Sequence, residues 1–282
     1  MKVGIIGVGT AGRARARAVQ SVSGLSLVGV HRGRFASDTS APEVACPEAL
    51  ARQVDVLVVS APDDTHETYV RLGLVHGCHV LCEFPVAQTY DGWLELQALA
   101  KHHRRALGVG HIEWLSPTQV ALERWASERS IRHLTLNANR SCTADSVRDI
   151  LLAHVARLHR AWSVAGPLEA HRVRVHDDRV TVEARGREGC HVLMHLACTE
   201  QQGRSSVVRV EYERGEFSEL RKNLLYRDGV CLKVPSQGGL FRADLSRFVS
   251  RLVADEASFR PPRRVSAIYR FIETLMTQVS RE

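Results

Sequence analysis

Gly7-Val8-Gly9-Thr10-Ala11-Gly12 follows the short apolar run Lys2 to Ile6 and opens a segment, Gly12 to Val22, with small and apolar residues at helical spacing. The order is strand, turn, helix, and the turn carries glycines at its first, third and sixth positions. Gly7 permits a tight turn, Gly9 lets backbone approach a pyrophosphate, and Gly12 allows the helix to pack closely on the strand. The start of the following helix adds partial positive charge. The pattern predicts a dinucleotide held at Gly7, Gly9, Thr10, Ala11 and Gly12.

A second buried strand follows at Leu25 to His31, ending in Val30-His31-Arg32-Gly33-Arg34. Sites that prefer NAD place Asp or Glu here to take the ribose hydroxyls. This stretch has no carboxylate to repel a 2′-phosphate, and Arg32 and Arg34 offer charge-assisted hydrogen bonds to one. The expected cofactor is NADPH, with NADH as the alternative, and His31, Arg32 and Arg34 join the expected contacts. The bland reading of the same residues is a solvated basic loop.

Alternation continues outward. Strands are expected at Asp55 to Ser60, His79 to Cys82 and Ala106 to Val109, with helices at Thr65 to Val75 and Tyr90 to Lys101 between them. Apolar strands alternating with helices imply a parallel, doubly wound Rossmann sheet over residues 1–115. The pattern then changes. After helices at Pro117 to Arg129 and Arg148 to Ala165, with a strand at Arg132 to Asn139 between them, come long alternating segments at Glu169 to Val175, Arg179 to Ala184, Cys190 to Cys198, Ser206 to Tyr212 and Phe217 to Tyr226. These predict a large, mostly antiparallel sheet with one covered face in an α+β domain over 116–282. Two helices, about Arg242 to Ala254 and Ser266 to Ser280, close the chain, and they could pack back on the first domain.

The 282 residues suit about two domains, and 44% hydrophobic content is ordinary for a globular protein. No stretch approaches the about 18 uninterrupted apolar residues of a membrane span, and no signal peptide precedes Lys2, so a cytoplasmic protein is expected. Seven cysteines are scattered without a C-x-x-C pair, which reads as reduced thiols, mostly buried, and no metal site. The net charge of +7 favours anionic partners. Its basic residues are dispersed and lack an interleaved aromatic platform, which argues against nucleic acid and for small anionic ligands.

Several segments together resemble the Gfo/Idh/MocA oxidoreductase family: the glycine turn, the histidine-containing turn Ala61-Pro62-Asp63-Asp64-Thr65-His66, the tripeptide Glu83-Phe84-Pro85 and the stretch Gly110-His111-Ile112-Glu113-Trp114-Leu115. The resemblance implies further cofactor contacts from Ser60, Ala61, Pro62, His66, Glu83 and Phe84. It also exposes two departures. The family tripeptide carries a lysine that helps deprotonate a substrate hydroxyl, and Phe84 cannot do so. The family's catalytic helix carries histidine and aspartate three residues apart, whereas this chain has His154 and Arg157.

Both departures resemble the branch of the family that reduces linear tetrapyrroles such as biliverdin with NADPH, in which no hydroxyl is deprotonated. By that resemblance Arg157 positions the tetrapyrrole and either assists its protonation, directly or through an ordered water, or stabilises charge developing during hydride transfer, and His154, one turn earlier, is a candidate proton donor. Phe84, His111, Glu113, Arg140 and Arg148 are the remaining candidates for substrate binding, Phe84 by stacking and the arginines through the propionates. Each has a structural reading too: Phe84 as core, His111 as a backbone cap, His154 as a packing residue, Arg157 on an exposed helix face. Two rivals remain open, another reductase of an imine or sugar-derived carbonyl on the same scaffold, and a non-catalytic cofactor-sensing or nucleic-acid-binding protein. A monomer and a homodimer are both compatible with the sequence.

Overall fold

A computed structural model describes residues 1–32, 41–142, 144–199, 203–234, 239–254 and 263–279. Arg34 lies outside the described residues, as does Ser280. The chain divides into two compact units: Met1–Ile112 together with a helix from far along the chain, α8 (Leu240–Val253), and the stretch from Glu113 together with the last helix, α9 (Arg263–Val279).

The first unit is built on five parallel strands, β1 (Lys2–Ile6), β2 (Ser26–His31), β3 (Val56–Val59), β4 (His79–Glu83) and β5 (Leu107–Gly110), in the order β2-β1-β3-β4-β5. Their residues are buried on both faces, most completely in β3 and β5, as a parallel sheet covered by helices requires. The helices are α1 (Thr10–Ser21), α2 (Pro47–Ala51), α3 (His66–Val75) and α4 (Tyr90–His102), joined by α8. Val3, Ile5, Val19, Val56 and Val58 form one core with Leu245 and Phe248 of α8. A side chain on Gly108 of β5 would lie 2.6 Å from the Phe248 ring, so that glycine is what lets α8 seat. The short helix α2 was not legible in the sequence, because five residues carry too little periodicity.

The second unit carries eight strands: β6 (Ile131–Ser141), β7 (Glu169–His176), β8 (Arg179–Arg185), β9 (His191–Thr199), β10 (Ser205–Tyr212), β11 (Phe217–Arg221), β12 (Leu224–Arg227) and β13 (Val230–Leu232). Their order is β13-β12-β11-β10-β6-β9-β8-β7, and every pairing is antiparallel except β6 with β9. The segment expected as one strand from Phe217 to Tyr226 folds back on itself as β11 and β12. Alternation sends Leu134, Leu136, Val182, Met194, Leu196 and Val208 to one buried face. The unit's helices are α5 (Pro117–Ser127), α6 (Val147–Ala153), α7 (Val155–Ala165) and α9. α6 and α7 stand where sequence spacing predicts one helix. His154 separates them, with φ −107° and ψ 11°, and the reason lies in its side chain, described below.

Candidate functional site

In the first unit the glycine turn has the geometry a nucleotide needs. Gly7 adopts φ +88°, and a Cβ there would sit 2.5 Å from the Ala61 nitrogen. A Cβ on Gly12 would overlap the Gly7 carbonyl oxygen, whereas at Gly9 nothing lies within 4 Å. Gly9 and Thr10 are exposed, α1 has no acidic residue in its first turn, and no side chain caps it. The unpaired N–H groups that begin α1 therefore face space that a phosphate can enter. These residues fit a dinucleotide.

The flanking contacts divide into ligand-facing and internal groups. Gly7 and Val8 donate their N–H groups to the carbonyls of His31 and Arg32, at 2.8 and 3.0 Å, fixing the turn against the end of β2. The His31 ring is buried and its Nδ1 lies 2.7 Å from the Val44 oxygen, so this residue serves the site through its backbone. Arg32 is exposed, with φ 55°. The Ser60 hydroxyl is buried beside Gly12 with no hydrogen-bond partner among the described residues. His66 is fully buried, with one ring nitrogen 2.9 Å from the Ala61 oxygen and the other 2.5 Å from that of Pro85. Both nitrogens are committed, so the contact with cofactor expected of His66 gives way to tying two turns together.

The second of those turns, Glu83-Phe84-Pro85, is held from three directions. Pro85 accepts from His66; the Phe84 ring packs against His111 at 5.4 Å between centroids; and Glu83 is bound by an arginine that sequence reading missed. Arg15 of α1 has no solvent exposure, donates from Nε to Glu83 Oε1 at 2.6 Å, and reaches Asp244 of α8 with Nη1 at 2.7 Å. Its guanidinium stands 4.9 Å from the Phe241 ring centroid. Burial raises the pKa of Glu83 and of Asp244, and Arg15 opposes both shifts. Burial alone would lower Arg15, but the two carboxylates outweigh it and hold its pKa above the ordinary value. The Glu83 carboxylate is thus engaged with Arg15, which corrects the expectation that it reaches out to cofactor. A charged residue on the otherwise apolar stripe of α1, with Gly12, Ala16 and Val19, was the signal that could have found Arg15.

In the second unit a guanidinium pair surrounds Glu113. Arg160 Nη2 lies 3.1 Å and Arg157 Nη2 3.4 Å from its two carboxylate oxygens. The two arginines are three residues apart on α7 and both are buried. Burial draws the Arg157 pKa down to about 10 against the opposing pull of Glu113, so the group still carries its charge at neutral pH. The exposed-face reading of Arg157 is excluded, and Arg160 joins it as a residue the sequence did not single out. Beside them Trp114 Nε1 donates to His159 Nδ1 at 2.6 Å.

Two expected residues of this unit have structural tasks. His154 is buried at the break between α6 and α7, and its Nε2 donates to the Ala197 oxygen of β9 at 2.8 Å, pinning the break to the sheet. Burial pushes its pKa down to about 4, which makes it a neutral packing histidine at pH 7 and corrects the proton-donor expectation. Arg148 forms a two-pronged ion pair with Glu273 at 2.8 and 2.9 Å, and that hydrogen bonding raises its pKa. It is committed to α9, which corrects its expected role toward propionates. Arg140 donates from Nη1 to the Ala153 oxygen at 3.1 Å, at the same helix break.

Residues 1–111 match the family described as Oxidoreductase family, NAD-binding Rossmann fold (GFO_IDH_MocA). Biliverdin reductase A of Mus musculus is 36% identical over 125 residues, covering 43% of this chain and 42% of the mouse protein. UDP-N-acetylglucosamine 3-dehydrogenase of Acidithiobacillus ferrooxidans is 26% identical over 185 residues, 62% of this chain and 58% of that one. The match thus spans about two fifths of the mouse relative's length. A crystal structure of biliverdin reductase from Synechocystis sp. PCC 6803, in complex with biliverdin and NADP+, superposes with a TM-score of 0.80 at 17% identity, over 98% of each chain, which shows a shared fold. Among the described residues no helix is long and apolar enough to cross a membrane.

Proposed function

We propose that this chain, whose residues 1–111 match the Gfo/Idh/MocA oxidoreductase family, is an NADPH-dependent reductase of that family whose acceptor is a linear tetrapyrrole of the biliverdin class. The observation that carries this reading is Phe84, which stands in the tripeptide where sugar-oxidising members keep a lysine, and whose ring is packed on His111. An aromatic wall cannot accept a proton from a hydroxyl, but it suits a flat conjugated substrate. The similarity to the mouse biliverdin reductase supports the same choice.

The bound cofactor would supply a hydride from its nicotinamide. The chain's own part begins with the Gly7 to Gly12 turn and the α1 N-terminus, which hold the pyrophosphate. Arg32 favours the extra phosphate of NADPH over NADH. Arg15, His66 and His111 keep the Glu83-Phe84-Pro85 turn in one geometry. Arg157, charged and buried, supplies fixed positive potential to an anionic acceptor. With a pKa of about 10 Arg157 keeps its proton at pH 7, and neutral His154 has its single N–H bound to the Ala197 oxygen, so both act by charge or packing rather than proton transfer.

The purified protein, mixed with NADPH and biliverdin, should bleach the long-wavelength absorbance of the tetrapyrrole while NADPH is consumed. No turnover across a range of linear tetrapyrroles would discard the substrate. The likeness to UDP-N-acetylglucosamine 3-dehydrogenase makes nucleotide sugars with NAD+ or NADP+ the comparison assay.

A further inference from the structure

We propose that Cys142 and Cys198 form an oxidisable dithiol site, closed to a disulfide by a peroxide or by a small-molecule disulfide. All seven cysteines are free, and most keep apart: Cys78 bonds the Ala51 carbonyl, Cys46 bonds Glu48, and Cys82 and Cys190 are buried in different units. Cys142 and Cys198 are the exception. They are 56 residues apart in sequence, yet their sulfurs lie 2.7 Å from each other.

The backbone explains the approach. β6 and β9 are parallel neighbours, with Arg140 opposite Cys198, and Cys142 follows directly on the end of β6. The Thr199 hydroxyl bonds the Asn139 side chain at 3.2 Å between the same two strands, so they are tied next to the sulfurs. A disulfide needs about 2.05 Å between sulfurs, so the pair has little distance to close. Cys198 is buried, whereas Cys142 is half-buried, which divides the chemistry between them. Burial holds the Cys198 thiol up at about 12, so the solvent-accessible Cys142 is the sulfur that meets the oxidant.

With hydrogen peroxide, the Cys142 thiolate attacks one peroxide oxygen, the O–O bond breaks, and the hydroxide released takes up a proton, leaving Cys142 as a sulfenic acid. The Cys198 sulfur then attacks the Cys142 sulfur, the S–O bond breaks, and the Cys198 proton leaves with the hydroxyl as a second water. Two thiols and one peroxide become one disulfide and two waters. An added dithiol reverses the step by thiol–disulfide exchange.

The site lies beside the anchor of the helix break. Arg140, two residues before Cys142, holds the Ala153 oxygen, and Ala197, next to Cys198, accepts from His154. A covalent link here therefore stiffens the anchorage of α6 and α7.

The test is peptide mapping of the full chain after hydrogen peroxide or oxidised glutathione, with N-ethylmaleimide trapping of the remaining thiols. The expected product is a cross-linked pair of peptides carrying Cys142 and Cys198, lighter by two hydrogens, lost on adding dithiothreitol. C142S and C198S should each abolish that product and leave the other thiols trapped as before, with unchanged circular dichroism. The proposal is overturned if both thiols stay open to N-ethylmaleimide, or if Cys142 stops at a mixed disulfide or sulfinic acid while Cys198 remains trappable. Mapping of the unsubstituted chain decides the matter even if a serine variant fails to fold.

Discussion

The carboxylate of Glu83 and the guanidinium of Arg15 meet at 2.6 Å although 68 residues separate them, and the arginine has no surface in contact with water. A second carboxylate, Asp244, shares the same guanidinium. One cation thus binds the middle of α1, the end of β4 and the first turns of α8.

Replacing that cation leaves two largely buried carboxylates without the ion pair they share. Arg15→Ala is expected to cost about 3–5 kcal/mol of stability, the range for removing one partner of a buried ion pair. Without Arg15 the burial of Glu83 and Asp244 loses its main opponent, and their pKa values rise further. Protonation then relieves the strain, so the deficit against the unsubstituted protein should shrink as pH falls. Urea unfolding at several pH values checks both; a deficit independent of pH would disprove the linkage.

His154 makes the opposite demand. Its folded pKa of about 4 lies below its ordinary 6.5, so between those values the unfolded chain binds a proton that the folded chain does not. Its contribution is present above pH 6.5 and is lost as pH falls toward 4, on the order of 3 kcal/mol. His154→Gln should flatten the acid limb of the stability profile measured by denaturant midpoints. An unchanged limb would assign the acid sensitivity to other groups.

Arg157→Ala should lower tetrapyrrole turnover by about 100-fold, the scale of removing one preorganised electrostatic group, with little change in NADPH affinity. Glu113 keeps Arg160 as a partner, which limits the structural damage. Steady-state kinetics beside fluorescence titration with NADPH separates the two effects, and undiminished turnover removes Arg157 from the mechanism.

Arg32→Ala should weaken NADPH binding by about 10-fold to 100-fold, equivalent to one charge-assisted hydrogen bond, while NADH is affected little. Titrating both nucleotides checks it. Equal loss for both would refute recognition of the 2′-phosphate at the end of β2.

Much of this was legible in the chain because it is local. Gly7, Gly9 and Gly12 announce the turn within six residues, and the apolar strands announce the parallel sheet. The alternating β8, β9 and β10 announce the second sheet in the same way. What escaped reading depends on partners distant in sequence. Arg15 on α1 cannot be read as an anchor without Glu83 and Asp244 beside it. The break at His154 is imposed by a carbonyl on β9, against a continuous helical pattern. Arg148 and Glu83 resemble ligand contacts until Glu273 and Arg15 are seen to occupy them. The thiol pair exists only because β6 and β9 run side by side in parallel, a register that no sequence spacing records.

α8 carries the remaining consequence. The nucleotide-binding unit takes its last helix from residues 240–253, so it is not complete when its fifth strand has been made. During synthesis the ribosome must deliver the whole second sheet before Phe248 can cover Gly108 and Asp244 can meet Arg15. A nascent chain stopped near residue 115 would therefore present an uncovered apolar surface and a half-neutralised arginine, a natural client for a chaperone rather than a free-standing domain.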